Sequence, residues 1–469
     1  MAEDTYDLAI IGAGSTGLIA ADFALKLGAR VALLERSRIG GDCTWTGCVP
    51  SKSLLKVARV AHEMRSASRF GVQSHDPVVD MNQVREYLRS TVHQIYQPTT
   101  PEALRAKGMQ VHLGPVQFVD PHTLLVGDER LTSKKILIAT GAHPATPTID
   151  GLSDVRCSTY LDIFENDRLP EAMVVIGGGP VGVELAQAYS RLGSKVTIFA
   201  EHLLAKEEAE ASEIVRRVFE REGILIIAEN VQSVSNISGG VSVQSLNHRQ
   251  TCDLLLVATG REPTLDGLNL EAAGVRYTAH GIEVDNELQT STQHIYAAGD
   301  VLGGMQFSHL AGWQGFQAAR NALLPGSSAG FSAAVPRVTF CDPEVAQVGQ
   351  TEAEARKAHH DDVTVLTWPI SRVDRAVCDG DQDGLMKLVT TKAGIVLGAT
   401  IVGHRAGDAI AEVALAMQHK LKVSDIASTI HPYPTYSTGI QLLATEMSVD
   451  HALSGLSGKV IRTASQIAR

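Results

Sequence analysis

Residues 8–17 read LAIIGAGSTG, and residues 173–182 repeat the pattern as MVVIGGGPVG. In both stretches an apolar run ends in glycines spaced G-x-G-x-x-G, and an alanine-rich segment and a second apolar run follow. Apolar runs without alternation are typical of parallel strands that helices cover on both faces. Each stretch therefore predicts a βαβ unit, and the predicted fold class is α/β with two Rossmann-like dinucleotide-binding domains.

Each glycine in this spacing has a separate physical task. The first makes a tight turn, the second lets the backbone approach a pyrophosphate, and the third lets the helix pack closely on the strand. The phosphates then face a helix N-terminus, where unpaired N–H groups favour negative charge. We therefore expect two dinucleotide sites. Their candidate glycines are Gly12, Gly14 and Gly17 in the first site and Gly177, Gly179 and Gly182 in the second.

An acidic residue at the end of the second strand of each unit should bind ribose hydroxyls. Glu35 follows Gly14 by 21 residues, and Glu201 follows Gly179 by 22 residues. Because a carboxylate would repel the 2′-phosphate of NADPH, Glu201 predicts a preference for NADH. The alternative is that Glu201 only ends its strand in solvent.

The rest of the chain divides around these two units. The segment IYAAGD at residues 295–300 follows the second unit and is expected to return to the first sheet. Beyond about residue 335, strands and helices alternate without a glycine motif, which favours an α+β domain. The predicted segments are a first dinucleotide domain at 1–150, a second at 151–275, a return segment at 276–334 that completes the first domain, and a C-terminal domain at 335–469.

Composition excludes several classes of protein. The chain has 469 residues, of which 44% are hydrophobic and 20% charged, and this rules out a disordered chain. A formal net charge of −11 without a long Lys/Arg block argues against a nucleic-acid partner. Residues 1–7 are acidic, unlike a signal peptide, and polar residues within 8–27 argue against a membrane span. Six cysteines are too few for a secreted disulfide scaffold, so we expect a cytoplasmic protein.

Residues 40–52 read GGDCTWTGCVPSK and hold two cysteines close together. Cys43 and Cys48 are five positions apart, so they would lie on different faces of one regular helix. Gly47 allows a bend that could bring them to disulfide distance, and Pro50 favours a helix that begins nearby. The positive end of that helix would lower the pKa of Cys48 and make it reactive.

The cysteine pair has three interpretations at this point: a redox-active couple, part of a zinc site, or a structural disulfide. No second cysteine pair or nearby histidine completes four zinc ligands, and a reducing compartment disfavours a structural disulfide. Redox chemistry is therefore favoured. The remaining cysteines are expected to be buried as small apolar residues, namely Cys157, Cys252, Cys341 and Cys378.

Six motifs together resemble those of one enzyme family. They are GAGSTG, GGDCTWTGCVPSK, GGGPVGVE, ATGREPT, YAAGD and FCDPEVAQVG, and they lie between residues 12 and 349. This set is similar to that of the class I flavin-dependent pyridine nucleotide–disulfide oxidoreductases, and most of all to their mercuric reductase branch. The resemblance implies FAD in the first site, NADH or NADPH in the second, and a homodimer built by residues 335–469.

The same resemblance implies which residues contact the two cofactors. The implied FAD contacts are Gly12, Gly14, Gly17, Glu35, Lys52, Val116, Gly141, Asp300 and Ser308. The implied nicotinamide-cofactor contacts are Gly177, Gly179, Val181, Gly182, Glu184, Glu201, Val231 and Gly260.

The resemblance further implies that electrons pass from NADH through FAD to a Cys43–Cys48 disulfide. Cys48 is expected to lie next to the flavin and Cys43 to exchange with the substrate. Lys52 is expected to pair with Glu184 beside the flavin, where a cation would stabilise the negative charge of the reduced ring. The alternative for Lys52 is a solvated helix residue.

The C-terminal motif departs from members that reduce organic disulfides. Those members carry a proton-transferring His before Pro-Thr and a nearby Glu, whereas here Tyr433 and Thr438 stand at these positions in HPYPTYSTG, residues 431–439. Tyrosine is a poor base at neutral pH, and His431 lies two residues early. Mercuric reductase is similar in having Tyr there, although residues 455–469 lack the paired cysteines of that branch.

Three functions stay open on the sequence. The favoured one is reduction of a soft metal ion such as Hg(II) or Cu(II), which prefers sulfur ligands, at Cys43 and Cys48. In this interpretation the catalytic set is Cys43, Cys48, Lys52, Glu184 and Tyr433, and the two cysteines bind the metal as substrate. The second is a disulfide or quinone reductase of the same fold, including a dihydrolipoamide dehydrogenase, with His431 as a substitute base. The third is a redox sensor or scaffold subunit.

Overall fold

A computed structural model describes residues 5–453 and 455–467 of the chain. Within it the chain forms two compact units, each assembled from separate stretches of sequence. The first unit contains Met1–Glu171, Ser233–Ser242 and Thr251–Phe331, and the second contains Ala172–Gln232, Val243–Gln250 and Ser332–Arg469. The four-segment division expected from the sequence stays a prediction.

Strands and helices alternate along most of the described chain. The strands are β1 (Tyr6–Ile11), β2 (Val31–Glu35), β3 (Gln110–Leu113), β4 (Val116–Asp120), β5 (Thr123–Val126), β6 (Glu129–Ile138), β7 (Ala142–Pro144), β8 (Ala172–Ile176), β9 (Lys195–Phe199), β10 (Leu225–Ile227), β11 (Ser233–Ile237), β12 (Gly240–Gln244), β13 (Arg249–Cys252), β14 (Leu254–Val257), β15 (Arg261–Pro263), β16 (Tyr277–Thr278), β17 (Gly281–Ile282), β18 (Ile295–Ala297), β19 (Arg337–Thr339), β20 (Glu344–Gly349), β21 (Thr364–Pro369), β22 (Leu385–Thr390) and β23 (Val396–Gly403). The helices are α1 (Ser15–Lys26), α2 (Gly41–Trp45), α3 (Cys48–Ser66), α4 (Met81–Tyr96), α5 (Pro101–Ala106), α6 (Pro180–Leu192), α7 (Ala209–Arg221), α8 (Ser308–Leu323), α9 (Glu352–His359), α10 (Asp374–Asp379), α11 (Ala406–Gln418), α12 (Val423–Ser428), α13 (Tyr436–Leu453) and α14 (Gly455–Ile467).

The first unit is built on a sheet with strand order β3-β2-β1-β6-β5-β4, and β18 also pairs with β6. Strand β1 runs parallel to both β2 and β6, with Ile10 opposite Leu33 and Leu137. All three side chains are fully buried. Burial on both faces of these central strands explains why their sequences are continuous apolar runs.

The chain returns to this first sheet after a long excursion, as the sequence predicts. Strand β18 pairs in parallel with β6, with Tyr296 opposite Leu137. Helix α8 follows and packs on α1 through glycines, since a Cβ on Gly312 would lie 2.5 Å from the Ile19 side chain and one on Gly315 would lie 2.3 Å from Thr16 O. The return segment therefore brings the start of α8 beside the start of α1.

The second unit contains the second glycine motif and the C-terminal region. Strands β8, β9 and β10 are parallel, and α6 leads from β8 to β9. The C-terminal region forms a five-stranded antiparallel sheet with order β19-β20-β23-β22-β21. Helices α11 and α13 pack on it around a core that includes Trp368, Met386 and Ile410. The predicted α/β class with a C-terminal α+β domain is confirmed.

No helix among the described residues is long and apolar enough to cross a membrane.

Candidate active site

The first glycine motif has the geometry that each of its glycines was expected to provide. Gly12 adopts φ +106°, and a Cβ there would lie 2.3 Å from Ala139 O. A Cβ on Gly17 would lie 1.9 Å from Gly12 O, so the third glycine lets α1 start against the turn. Gly14 faces open space, with only Gly41 Cα at 3.9 Å from such a Cβ. The open backbone at the second position is where a pyrophosphate fits.

The second motif repeats this geometry in the other unit. Gly177 adopts φ +119°, and a Cβ on Gly182 would lie 2.1 Å from Gly177 O. Gly179 again faces open space, with no atom within 4 Å of a Cβ built on it among the described residues. Helix α6 begins directly afterwards at Pro180, a residue that suits a first helical turn because its missing N–H needs no partner.

Glu35 ends β2 beside the first motif and is 8% exposed. One carboxylate oxygen accepts the N–H of Ala13 at 2.9 Å, and the other accepts the N–H of Ser37 at 2.8 Å. Glu35 therefore stabilises the glycine turn through the backbone N–H of Ala13. The Ser37 hydroxyl also donates to the second oxygen, Oε1, at 3.4 Å, whereas Oε2 keeps a lone pair to which a ribose hydroxyl can bind.

The two cysteines of the GGDCTWTGC segment lie on different helices. Cys43 sits in the five-residue helix α2, and Cys48 is the first residue of α3. Gly47 separates the helices, and its position admits no side chain, because a Cβ would lie 2.8 Å from Asp42 O. The break at Gly47 brings the two side chains within hydrogen-bonding reach, in their dithiol form.

Three helices begin at this sulfur pair. Ser15 starts α1, Cys48 starts α3 and Ser308 starts α8. The Cys48 Sγ lies 3.2 Å from the Ser308 Oγ, and Cys43 also bonds with the hydroxyls of Ser308 and Ser15. Helix N-termini favour negative charge, so the surroundings suit thiolates. The sequence predicted the helix start at Cys48. It predicted Ser308 only as an FAD contact, and it missed the contacts of Ser308 and Ser15 with the cysteines.

The thiol of Cys43 titrates as part of the pair. The adjacent Cys48 sulfur, followed by burial, raises the pKa of Cys43 well above its usual value. The hydroxyls of Ser308 and Ser15 act in the opposite direction and lower it. The pair therefore holds one proton between its sulfurs more tightly than an isolated thiol would.

An ion bridge that the sequence did not predict lies next to the cysteines. Asp42 accepts the O–H of Tyr160 at 2.9 Å and an N–H of Arg261 at 3.1 Å. The other terminal nitrogen of Arg261 donates to Asp300 at 2.6 Å. Burial raises the pKa of Asp300 and outweighs the opposite effect of Arg261. The signal for this bridge was a charged residue inside each of three motifs, GGDC, ATGREPT and YAAGD.

Two buried polar atoms near the cysteines lack a hydrogen-bond partner among the described residues. They are Asp300 Oδ1 and Thr46 Oγ1. Since buried polar atoms are nearly always hydrogen-bonded, these atoms fit a polar ligand. Together with the open backbone at Gly14, they make the site a good fit for a dinucleotide such as FAD.

Other predicted FAD contacts lie in the same unit. Lys52 stands one turn after Cys48 on α3, hence on the same helix face. Gly141 adopts φ +73° and its carbonyl accepts the N–H of Thr264. The side chain of Val116 belongs to the hydrophobic core, so only its backbone can face a ligand.

The predicted nicotinamide-cofactor contacts divide between the units. Glu184 is buried on α6 of the second unit, and its carboxylate accepts the N–H of Phe340 at 2.8 Å. Val181 on α6 and Val231 are partly exposed in that unit. Gly260, with φ +133°, belongs to the first unit. The pairing of Glu184 with Lys52 stays a prediction.

Glu201 lies just beyond β9, as predicted, and is exposed. Its carboxylate accepts an N–H of the Asn230 side chain at 2.7 Å. Of the acidic residues that follow, Glu207 forms an ion pair with Arg337 at 3.1 Å. The carboxylate just beyond β9 is therefore held by an amide side chain.

Tyr433, at the position of the family histidine, is 71% exposed and donates its O–H to Asp374 at 2.7 Å. This hydrogen bond raises the pKa of Tyr433 above its ordinary value. The tyrosine is therefore even less ionised at neutral pH, and so less available as a base, than the sequence suggested.

His431 is engaged at both ring nitrogens. Its Nε2 lies 2.8 Å from both carboxylate oxygens of Glu412, and its Nδ1 lies 2.9 Å from Thr429 O. The side chain is only 5% exposed. Neither ring nitrogen is free to take a proton from a substrate, which weighs against His431 as a substitute base.

Comparison with family models matches residues 6–315 to the pyridine nucleotide-disulphide oxidoreductase model and residues 335–444 to the dimerisation domain of that family. The chain belongs to the pyridine nucleotide-disulphide oxidoreductase family. As a member it is a flavoprotein oxidoreductase that works with FAD and NAD(P)H. Residues 335–444 are its dimerisation domain.

Relatives within this oxidoreductase family differ in their substrates. Mercuric reductase of Staphylococcus aureus is 36% identical over 461 residues, which cover 96% of this chain and 84% of the relative. Dihydrolipoyl dehydrogenase of Thermus scotoductus is 36% identical over 452 residues, which cover 93% and 96%. The solved Cu(II) complex of the HOCl-induced flavoprotein disulfide reductase RclA from Escherichia coli matches with a TM-score of 0.85 at 28% identity, covering 94% of this chain and 99% of that one.

The exposure of the remaining four cysteines corrects two expectations. Cys252 and Cys341 are buried, as predicted, whereas Cys157 is only half-buried, so its prediction as a buried residue was wrong. Cys378, however, is exposed on the short helix α10, so its prediction as a buried apolar residue was wrong. The helix has six residues, fewer than two turns, and only Ala376 on it is buried, so the position of Cys378 stays in contact with solvent. Among the described residues, no group of three or more His, Cys, Asp or Glu side chains is placed to hold a metal ion.

Proposed function

We propose that this oxidoreductase uses NADH and FAD to reduce a soft metal ion, Hg(II) or Cu(II), at Cys43 and Cys48. The observation that carries the proposal is a contrast in chemistry. The two sulfurs lie together at three helix N-termini. The two candidate bases of the dimerisation domain, Tyr433 and His431, are already hydrogen-bonded to Asp374 and Glu412. Exchange of a soft metal between thiolates needs sulfur ligands and no proton shuttle.

The sulfur pair would cycle between a disulfide and a dithiol. Reduction breaks the S–S bond and takes up two electrons and two protons. The metal ion then displaces both protons and is held by two sulfur–metal bonds. For Hg(II), both bonds break as Hg(0) leaves with two electrons and the S–S bond forms again. The sum is NAD(P)H plus Hg(II) giving NAD(P)⁺, Hg(0) and one proton.

FAD, when bound, supplies the relay of the electron pair from NAD(P)H to the sulfurs. The groups that would hold it are the open turn at Gly14, the carboxylate of Glu35, and the oxygens of Asp300 and Thr46 that lack a partner within the described part of the chain. The remaining predicted contacts are Gly12, Gly17, Lys52, Val116, Gly141 and Ser308. Lys52 would place a cation one turn from Cys48, where it would stabilise negative charge.

The serine hydroxyls at the starts of α1 and α8 act on the pKa of Cys43, and this pKa matters for metal exchange. Ser308 and Ser15 lower the pKa of Cys43 and oppose the effect of the neighbouring sulfur. Their role is to offset part of the rise in the pKa of Cys43, so that the residue that would meet the substrate loses its proton more easily. In this proposal Cys43 exchanges with the ion, and Cys48 stays next to the flavin.

The nicotinamide cofactor is proposed to be NADH. Glu201, oriented by Asn230, presents a carboxylate where NADPH would place a phosphate. The turn around Gly179 would hold the pyrophosphate, with Gly177, Val181, Gly182, Glu184, Val231 and Gly260 as the other proposed contacts. Replacing Glu201→Arg should move the ratio of kcat/KM values for NADH and NADPH by about 10–100-fold toward NADPH. An unchanged ratio would contradict the role of Glu201.

A second candidate function is reduction of an organic disulfide. It is favoured by the identity with dihydrolipoyl dehydrogenase, which equals that with mercuric reductase. This function needs a base for the leaving thiol. His431 could supply one only by giving up a hydrogen bond that it makes in this structure.

The protein is proposed to act as a cytoplasmic homodimer assembled by the dimerisation domain. The family model over residues 335–444 supports this assembly. In the dimer, Tyr433 would meet the substrate at the partner subunit's cysteines. Size-exclusion chromatography with light scattering should give twice the 50.0 kDa chain mass.

An anaerobic acceptor profile separates the two candidate functions. NADH oxidation is followed with Hg(II) buffered by excess thiol, Cu(II) and oxidised lipoamide, with the wild type and His431→Gln compared. The proposal expects turnover with the metal ions that the variant retains. Turnover with lipoamide alone that His431→Gln abolishes would establish the second function instead. His294→Gln, in the first unit, is the matched control for loss of a histidine.

A further inference from the structure

The helix that carries Cys43 is short, and different contacts hold its two ends. Helix α2 is five residues long, has no buried residue and has no side-chain cap at its N-terminus. At its far end Trp45 packs against Tyr96 and His93 and donates to Ile39 O. Beside Cys43 the contacts are polar, and Asp42, directly before Cys43, makes two of them.

Those contacts form a closed network with two distant segments of the same unit. Tyr160 donates to Asp42 at 2.9 Å, and Arg261 donates to Asp42 at 3.1 Å and to Tyr160 at 3.3 Å. The guanidinium also donates to Asp300 at 2.6 Å. Tyr160 is 8% exposed and the side chain of Arg261 is 24% exposed. The side chain of Asp42 is 36% exposed. Removing one partner therefore leaves the buried Tyr160 and Arg261 with an unsatisfied group more than it does Asp42.

Arg261 thereby joins the cysteine helix to Asp300. The second oxygen of Asp300 has no partner among the described residues and is available to a ligand. Planar guanidinium groups suit such a double role because their donors are fixed in a fork. The network has two carboxylates and one cation, so each carboxylate depends on the same arginine.

We propose that Arg261, together with Tyr160, is a positioning device that fixes the Cys43 helix through Asp42, and so sets the reduction potential of the cysteine pair. The network keeps the Cys43 sulfur facing Cys48, which raises the effective concentration of one thiol at the other. The proposal rests on Cys43 and Cys48 being the redox couple of the proposed function. Arg261 touches neither sulfur and acts through the helix.

The test is a glutathione redox titration of the flavin-bound protein, with thiols trapped by alkylation and counted on the Cys43–Cys48 peptide by mass spectrometry. Arg261→Gln and Asp42→Asn should each lower the disulfide-forming equilibrium constant about tenfold, which is ~30 mV. Tyr160→Phe, which keeps the ring, should lower it about two- to threefold. In Arg261→Gln/Asp42→Asn, the loss should match that of one single variant, because both break one network. Asp76→Asn, which breaks the exposed bridge to Arg65, is the control and should have no effect.

If the equilibrium constant moved in opposite directions in Arg261→Gln and Asp42→Asn, only the charges of these residues would act on the sulfurs. That result would overturn the positioning role. Equilibrium constants within twofold of the wild type in both single variants would also overturn the positioning role. If a variant lost its fold by circular dichroism, Tyr160→Phe alone would decide the result. A wild type whose Cys43–Cys48 pair does not cycle in the titration would instead refute the proposed function, so the two failures are distinguishable.

Discussion

Reactive groups have different surroundings in two regions of the molecule, the cysteine site of the first unit and the Tyr433 loop of the second unit. At the cysteines, the starts of three helices and two hydroxyls surround sulfurs whose chemistry needs negative charge. At the loop, the phenol and the imidazole are bound to carboxylates within their own unit. The difference teaches that the described residues of the first region surround a sulfur pair with hydroxyls and helix N-termini, whereas those of the second hold both candidate bases in hydrogen bonds.

The comparison is tested most strongly by removing a sulfur. Cys48→Ser should lower Hg(II)-dependent NADH oxidation by at least about 10³-fold, because a single thiol cannot form the disulfide. FAD should remain bound, and the long-wavelength absorbance of a thiolate beside the flavin should be absent after NADH is added. Stopped-flow spectra and steady-state rates measure both.

Cys43→Ser is the matched variant for that experiment. It should lose metal reduction to the same extent but keep the long-wavelength absorbance, because Cys48 stays as a thiolate. Wild-type rates in both variants would mean that electrons reach the metal ion without passing through Cys43 and Cys48. That result would contradict the role given to the cysteine site.

A smaller effect is expected from the hydroxyl at the start of α8. Ser308→Ala removes a group that lowers the pKa of Cys43, so that pKa should rise. The thiolate forms as pH increases, so the rising limb of the pH–rate profile should move to higher pH. At neutral pH the rate should fall about fivefold, and the rate at high pH should approach that of the wild type. A profile that keeps its position would contradict the role given to Ser308.

The loop histidine should affect stability more than metal reduction. His431→Gln loses contacts to Glu412 and Thr429, which should cost about 1–2 kcal/mol in urea unfolding. Metal reduction at saturating substrate should stay within about twofold. A tenfold loss of turnover, with stability unchanged, would show that the imidazole takes part in catalysis.

The smallest effect on stability is expected at the phenol of Tyr433, because its hydrogen bond to Asp374 is exposed. Tyr433→Phe removes the hydrogen bond to exposed Asp374 and should change the rate of metal reduction by no more than about threefold. Steady-state kinetics between pH 6 and pH 9 measure this. A lost limb in the pH profile would identify Tyr433 as a proton donor or acceptor.

Much of the fold followed from the sequence because its signals are local. The apolar strands and the glycine spacing fix both βαβ units, and the open backbone at Gly14 and Gly179 matches the expected task of the second glycine. The return of β18 to the first sheet also followed from its apolar run. Cys48 at a helix start could be read from Gly47 and Pro50, since a break and a helix start are properties of neighbouring residues.

The parts that the sequence did not reveal depend on residues far apart along the chain. Tyr160 and Arg261 reach Asp42 across more than a hundred positions, and no spacing rule links them. The contact of His431 Nε2 depends on where α11 places Glu412, 19 positions earlier. Exposure of Cys378 depends on the packing of a six-residue helix, which composition does not encode.

The central claim is that the Cys43–Cys48 pair passes two electrons to a soft metal ion. It is tested most directly by adding NADH to the protein under argon with limiting Hg(II) and collecting elemental mercury from the gas phase. The account predicts one Hg(0) released for each NADH consumed, and none from Cys43→Ser. Consumption of NADH without mercury release, or equal release from the variant, would contradict it.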